Sequence, residues 1–136
     1  MAIKFPSEVW IKELCSRLNA SEAYAQAAAT WEGDIIFVVL PDDAHAGTTT
    51  LYINLQHGKA LDARELKSTD GQKALFTISA PFHIWRKVLE GRLNPIQGIF
   101  SGKFKLVGSL PQLQRSPMAT LELVKVASGI DTDFGS

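Results

Sequence analysis

The first part of the chain has the hydrophobic period of an amphipathic helix. Ser7 follows Pro6 and can cap a helix, because its hydroxyl can accept a hydrogen bond from the first turn. Four apolar residues then recur at i, i+3, i+4 and i+7: Ile11, Leu14, Cys15 and Leu18. A second, alanine-rich helix is predicted from Ser21 to residue 30. Both helices therefore have one face to bury against a neighbouring layer.

The middle of the chain has the patterns of β-strands. Residues 35–40 form a continuous apolar, β-branched run, which is typical of a central strand covered on both faces. Residues 48–56 alternate between apolar and polar positions, and a turn at His57-Gly58 then leads into a strand over residues 59–64. Residues 73–79 alternate again. These patterns predict a meander followed by a further strand.

Helical spacing returns in the second half, in short segments separated by Gly and Pro. Residues 81–91 and 94–101 are predicted to be helices, residues 103–107 the last strand, and the helical region after it is divided at Pro117. Residues 129–136 are predicted to be a polar, frayed tail. Strands gathered between helices favour an α+β fold with a largely antiparallel or mixed sheet over a doubly wound parallel one.

Composition limits the class of protein. The 136 residues are 46% hydrophobic and 21% charged, which predicts one soluble globular domain over residues 1–128. No apolar run approaches the ~20 residues of a membrane helix. The net charge of zero provides no general attraction to nucleic acid. The single cysteine, Cys15, excludes an internal disulfide and favours a cytoplasmic location.

Candidate catalytic chemistry is sparse. His45, His57 and His83 lack metal-ligand spacing with a cysteine or carboxylate, and the chain has no GxSxG, HExxH or CxxC motif. We therefore predict no enzyme activity, no cofactor and no metal site. His83 keeps some interest, because it stands among apolar residues at a predicted cavity rim. Asp42 is expected to form a turn with its neighbours, and Cys15 is expected to be a buried, inert thiol.

The second half of the chain differs from the first in its apolar residues and in its charge. Its large apolar residues can fill a core or line a cavity, and periodicity alone does not separate these two cases. The short, apolar elements between residues 81 and 101 suit a helical cover over a ligand cavity. Residues 81–115 also contain six basic residues against Glu90 alone, a local charge of +5. This basic surface can contact an anionic membrane or remain a solvated face, and five of its residues are candidates for the contact: Arg86, Lys87, Arg92, Lys103 and Lys105.

The order of several short motifs is recognisable as a whole. They are Trp31-x-Gly33-x-Ile35-x-Phe37, Phe76-Thr77-Ile78-Ser79, Trp85-x-x-Val88-Leu89-x-Gly91-x-Leu93-x-Pro95 and Phe100-x-Gly102-Lys103-x-Lys105-x-x-Gly108. In this order they resemble the sterol carrier protein 2 (SCP-2) domain family. The resemblance extends over nearly the whole chain and is most specific between residues 85 and 108. The division of the last helix at Pro117 favours a stand-alone, prokaryotic-type member over a peroxisomal carrier.

The resemblance implies both a fold and a function. The family's fold is a five-stranded, mostly antiparallel or mixed sheet covered on one face by helices, with an apolar tunnel between the layers. It implies non-catalytic binding and transfer of a fatty acid, acyl-CoA, phospholipid or sterol-like or isoprenoid lipid. The alternative is an accessory module that presents lipid intermediates, for example in quinone biosynthesis, to a partner enzyme or within a homodimer. By position in the motifs, the candidate ligand-binding residues are Phe76, Ile78, Phe82, Trp85, Ile96, Ile99, Phe100, Phe104, Leu113, Met118 and Leu121.

Overall fold

The computed structural model describes residues 2–67 and 71–135. In chain order the elements are β1 (Ile3–Lys4), α1 (Glu8–Asn19), α2 (Glu22–Ala27), β2 (Glu32–Leu40), β3 (Thr49–Gln56), β4 (Lys59–Leu66), β5 (Phe76–Pro81), α3 (Phe82–Leu89), α4 (Pro95–Phe100), β6 (Lys105–Val107), α5 (Leu110–Gln114), α6 (Pro117–Ser128) and β7 (Thr132–Asp133). The main sheet has the order β4-β3-β2-β5-β6. Only β2 and β5 are parallel in it, and the other neighbours are antiparallel. The predicted α+β class with a mixed five-stranded sheet is confirmed.

The first two helices begin where their caps predict. The Ser7 hydroxyl accepts a hydrogen bond from the Trp10 N–H at 3.1 Å, and Ser21 does the same for Tyr24 at 3.1 Å. The apolar stripe of α1 is buried against the sheet except for Cys15, which is half-buried and not fully buried as predicted. Burial raises the pKa of the Cys15 thiol, which therefore stays protonated at neutral pH. The second helix is shorter than predicted and ends at Ala27.

The hairpin between β3 and β4 turns at the predicted pair of residues. His57 and Gly58 have φ angles of 51° and 78°, the left-handed conformation of a two-residue hairpin loop. A Cβ at Gly58 would lie 2.5 Å from the carbonyl oxygen of Ala25, so only glycine lets α2 approach this turn so closely. The His57 N–H also donates to the Trp31 carbonyl at 2.7 Å. The end of the β3–β4 hairpin is thus held against α2.

The two faces of the sheet are covered differently. The face that carries Ile35, Phe37 and Leu51 packs against the helices and forms most of the core. The opposite face carries a smaller cluster formed by Ile36, Tyr52 and Leu66. Strand β2 is the central strand of the sheet, as predicted. Its second face is covered by this cluster, to which Val38 of β2 and Ala74 from the segment before β5 add partly buried side chains.

The C-terminal residues pack onto the body of the protein. Strand β7 pairs in parallel with β1, and the Ile3 N–H donates to the carbonyl of Asp131 at 2.8 Å. Ile130 is 5% exposed, and the Phe134 ring lies 6.1 Å from that of Phe5. The predicted frayed tail is wrong for the described residues up to 135, because two apolar side chains in this polar segment find a hydrophobic surface. No helix in the described ranges is long and apolar enough to span a bilayer.

Candidate functional site

A narrow cavity of about 120 Å³ lies between the sheet and the helices. Its sheet side is formed by residues of β2, β3 and β5, namely Ile35, Phe37, Leu51, Leu55 and Ile78. One end of the cavity is at the lining residue Leu55, which pairs with Gly33 of β2. The other end is at the lining residue Trp85, whose indole N–H donates to the carbonyl of Val38 of β2. At ~3.3 Å per residue, the distance along β2 from Gly33 to Val38 is roughly 16 Å. The cavity is therefore elongated along β2.

Helices form the rest of the wall. They contribute mainly branched aliphatic side chains from α3, α4 and α6: Val88, Leu89, Ile96, Ile99, Leu123 and Val124. Leu14 of α1 and Tyr24 of α2 also line it. Within the described part of the chain, no charged side chain lines the cavity. Such a wall binds a ligand by removing apolar surface from water, at ~0.8 kcal/mol for each methylene.

Three aromatic rings form one continuous part of the wall. The Trp85 ring packs edge-on against Phe37, with centroids 5.5 Å apart, and against Phe104, with centroids 4.9 Å apart. The indole N–H of Trp85 donates to the carbonyls of Val38 at 3.1 Å and Ala80 at 3.0 Å. Because its one polar atom is satisfied by strand carbonyls, Trp85 presents only carbon to the cavity.

The position of α4 depends on a glycine. Gly98 is buried in this short helix, and a Cβ there would lie 2.7 Å from Cδ2 of Phe104. Asn94 caps the helix by accepting from the Ile96 N–H at 2.9 Å. Since Gly98 has no side chain, α4 lies directly on Phe104 and closes the cavity beside it.

The family comparison supports this architecture. The model of the SCP-2 sterol transfer family matches residues 11–117. The chain belongs to this family. The match extends from α1 to the first residue of α6 and so includes the sheet and the helices α3 and α4 that surround the cavity. The resemblance in the motifs is confirmed, and SCP-2 membership indicates that the protein binds or transfers lipids.

Solved SCP-2 structures agree with the fold. The chain is 34% identical to a protein described as sterol carrier protein 2, with a TM-score of 0.80 and coverage of 91% of this chain and 97% of the other. It is 35% identical to a possible sterol carrier protein from Thermus thermophilus, with a TM-score of 0.84 and coverages of 93% and 90%.

A more distant likeness concerns the fold alone. The UbiJ-SCP2 ubiquinone synthesis protein is 16% identical, with a TM-score of 0.54 and coverages of 87% of this chain and 84% of the other. No curated protein sequence matches the chain.

The structure places the predicted ligand-binding residues in three groups. Six of them line the cavity: Ile78, Trp85, Ile96, Ile99, Phe104 and Leu113. Phe76 and Phe82 are each 1% exposed and lie in the core beside the cavity, where Phe76 stacks on Trp31 with centroids 5.4 Å apart. Phe100, Met118 and Leu121 are 61%, 56% and 44% exposed. The cavity thus brings together six of these side chains, and the binding role of all eleven stays a prediction.

The motif-based reasoning did not select the cavity residues from the first half of the chain. These include Leu14, Tyr24, Phe37, Leu51 and Leu55. The helical stripe of α1 and the alternation in β3 put Leu14, Leu51 and Leu55 on inward faces, so periodicity could have indicated them. Tyr24 had no such signal, because its short helix is composed mostly of small residues.

The histidines lie outside the cavity wall. His83 forms a pair with Asp42, whose Oδ2 lies 2.9 Å from Nδ1 and accepts from the His83 backbone N–H at 2.8 Å. Asp42 therefore caps α3 from a distant loop, where the N-cap residue Pro81 provides no side-chain bond. His45 stacks on Phe82 with centroids 5.3 Å apart. The described residues contain no cluster of groups that could hold a metal ion.

Asp42 is expected to make the free energy of unfolding depend on pH in the acidic range. Desolvation opposes ionisation of this carboxyl, but hydrogen bonds from His83 and Ala44 outweigh it and lower its pKa from the ordinary value of 3.8. Because the folded pKa lies below the unfolded one, the resulting stability is present above pH 3.8 and is lost as the pH falls through the folded pKa.

Replacing Asp42 by asparagine should remove this pH dependence. Wild type is expected to be more stable than Asp42→Asn near neutral pH, and the difference should shrink as the pH is lowered from about 5 to about 2, where the unfolded and then the folded carboxyl takes up a proton. Urea unfolding at several pH values measures it. Asp43→Asn, at the exposed neighbouring position, is the control and should show no such trend. A difference that does not change with pH would contradict the stabilising role of the ionised Asp42 carboxylate.

The basic residues predicted to contact an anionic membrane differ in their ion pairs. Arg86 and Arg92 both pair with Glu90, and their hydrogen bonds lower the pKa of that carboxyl. Lys103 and Lys105 are exposed, and neither forms an ion pair within the described ranges. Lys103 follows α4 by three residues and stands next to the cavity residue Phe104. This lysine is thus a cation close to the covering helices.

Proposed function

We propose that this protein is a non-catalytic, cytoplasmic lipid carrier that holds a fatty acid, acyl-CoA, phospholipid or sterol-like or isoprenoid lipid between its helices and its sheet. The observation that supports this function is the elongated apolar cavity without charged lining residues in the described part of the chain. Membership in the SCP-2 family points to the same class of ligand.

Ligand entry requires the cavity to widen. Its volume of about 120 Å³ is close to that of an engineered cavity of ~150 Å³ that admits benzene, so it accommodates only part of a long acyl chain. The covering helices α4 and α5 have 6 and 5 residues, and few interactions hold such short elements. We expect α4 to move away from Phe104 when a lipid enters.

The direct test is to identify what the purified protein retains. Protein prepared without detergent is measured by native mass spectrometry, and extracted small molecules are then identified. Lipid of a defined class in the extract supports the carrier function and names the ligand. A mass equal to that of the chain alone, unchanged after addition of fatty acid, acyl-CoA or quinone, would contradict it.

Delivery to membranes is expected to use the surface beside α4. This surface consists of the exposed ring of Phe100 and the lysine at position 103. A basic residue near an anionic bilayer contributes ~1 kcal/mol, so reversing the charge in Lys103→Glu should weaken binding to anionic vesicles by about 2 kcal/mol, roughly thirtyfold. Flotation and lipid-transfer assays with vesicles of anionic or zwitterionic composition measure the effect.

The matched control is Lys59→Glu. Lys59 is exposed at the start of β4, the edge strand opposite β6, and so lies across the sheet from the proposed surface. The substitution makes the same change in net charge. Equal loss of vesicle binding in the two variants would indicate a general charge effect and contradict the assigned surface.

A second function is an accessory module that presents lipid intermediates to an enzyme. The observation that favours it is the fold likeness to a ubiquinone synthesis protein. Light scattering after size exclusion and co-purification distinguish the two functions. A carrier acts as a free protein, whereas an accessory module is recovered in a stable complex with a biosynthetic enzyme.

A further inference from the structure

The polar atoms of the cavity wall are almost all engaged within the protein. The indole N–H groups of Trp10 and Trp31 donate to Thr132 Oγ1 at 3.0 Å and to the Gly33 carbonyl at 2.9 Å. Trp85 donates to two strand carbonyls, and the hydroxyl of Thr120 donates to the Ser116 carbonyl at 3.2 Å. These four lining side chains therefore have no proton left for a ligand.

Tyr24 differs from them. It is 1% exposed, and among the described residues its hydroxyl has no hydrogen-bond partner. The hydroxyl oxygen nevertheless keeps some accessible surface. Burial alone raises the pKa of Tyr24 to about 12, so the phenol keeps its proton at neutral pH. A buried donor without a partner costs free energy, which a ligand acceptor would recover.

Tyr24 also lies at a defined end of the cavity. Its neighbour Ala25 touches Gly58 at the tip of the β3–β4 hairpin, just beyond the lining residue Leu55 near the end of β3. Helix α4, which rests on Phe104, lies at the Trp85 end. The phenol is therefore at the end of the cavity that lies farthest from α4, the helix that we expect to move when a lipid enters.

We propose that the Tyr24 hydroxyl donates a hydrogen bond to a neutral oxygen, a hydroxyl or a carbonyl, at the leading end of a bound lipid. This assignment rests on the carrier function proposed above and narrows its ligand class. A carboxylate does not suit this end, because the described lining offers no cation to replace its hydration. The ligand thus enters with a neutral polar group first.

The test compares decanol, decane and decanoate, supplied from cyclodextrin, in displacement of a fluorescent lipid from wild type and from Tyr24→Phe. Loss of one hydrogen bond should lower the affinity for decanol about three- to tenfold and leave that for decane unchanged. The affinity for decanoate should not depend on Tyr24. Thermal unfolding should be unaltered or shifted upwards, because the substitution removes only an unpartnered hydroxyl.

Tyr52→Phe is the matched control. Tyr52 lies in the cluster on the opposite face of the sheet, where its hydroxyl donates to Asp34 Oδ2 at 2.8 Å, and its removal should not alter the decanol-to-decane ratio. Equal effects of Tyr24→Phe on decanol and decane, or no effect on either, would overturn the assignment while leaving the carrier function intact. Failure of wild type to bind any of the three probes would overturn the carrier function and the assignment with it.

Discussion

Replacing Ala119 by phenylalanine is expected to reduce the affinity for a long-chain fatty acid roughly a hundredfold in a protein that still folds. Ala119 is 7% exposed and lines the cavity from α6. A benzyl group at this position would occupy space that a ligand needs. If it excludes three or four methylenes at ~0.8 kcal/mol each, the loss is about 3 kcal/mol.

The adjacent residue provides the control for this prediction. The motifs predict a binding role for Met118, but this residue is 56% exposed and lies outside the cavity lining, so Met118→Phe adds the same ring to the same turn of α6 and directs it to solvent. Binding of a fluorescent fatty acid should be lost in Ala119→Phe and retained in Met118→Phe, with circular dichroism reporting the fold. If the larger ring prevents folding, Ala127→Leu fills the cavity less severely from the same helix. Wild-type affinity in a folded Ala119→Phe protein would show that ligand does not occupy this cavity.

Replacing Trp85 by alanine is expected to have the largest effect on stability. The substitution removes the ring between Phe37 and Phe104 and leaves a void next to an existing cavity. Trp85 is half-buried and packs against the core, so the cost should lie near the lower end of the range of roughly 3–5 kcal/mol found for large core aromatics, at about 3 kcal/mol. Urea unfolding should therefore show a loss of this size in the free energy of unfolding.

Two further variants separate the contributions of Trp85. Trp85→Phe keeps most of the ring but loses the N–H that bonds Val38 and Ala80, so we expect a loss of about 1–2 kcal/mol. Phe100→Ala truncates an aromatic residue that is 61% exposed and should cost less than about 0.5 kcal/mol. A small effect of Trp85→Ala, similar to that of Phe100→Ala, would mean that Trp85 does not hold the helical cover on the sheet.

Several elements follow directly from local sequence. The serine caps of α1 and α2, the alternation in β3 and the glycine turn after it depend on residues close together in the chain, and the structure has them where they were predicted. The motifs between residues 85 and 108 likewise lie within one continuous segment, which is why they sufficed to indicate the family. Local hydrogen bonds and hydrophobic periodicity act over a few residues, so they can be recognised without knowing the fold.

Contacts between distant segments were decided only by the tertiary structure. Ile99 and Phe100 are adjacent apolar residues of one short helix, yet the first lines the cavity and the second is exposed. Asp42 caps a helix 41 positions later, and Ile130 is buried although its segment is polar. The direction of a side chain within a helix of 6 residues depends on how that helix sits on its neighbours.

The candidate site shows the same division. The sequence by itself determined the α+β class, the SCP-2 family and an apolar second half from which a lipid site could be expected. Only the folded structure decided which apolar residues fill the core and which surround free space, and it alone left the hydroxyl of Tyr24 without a partner among the described residues. The physical reason is that a cavity is a property of how several layers pack together, whereas hydrophobicity and periodicity are properties of single segments.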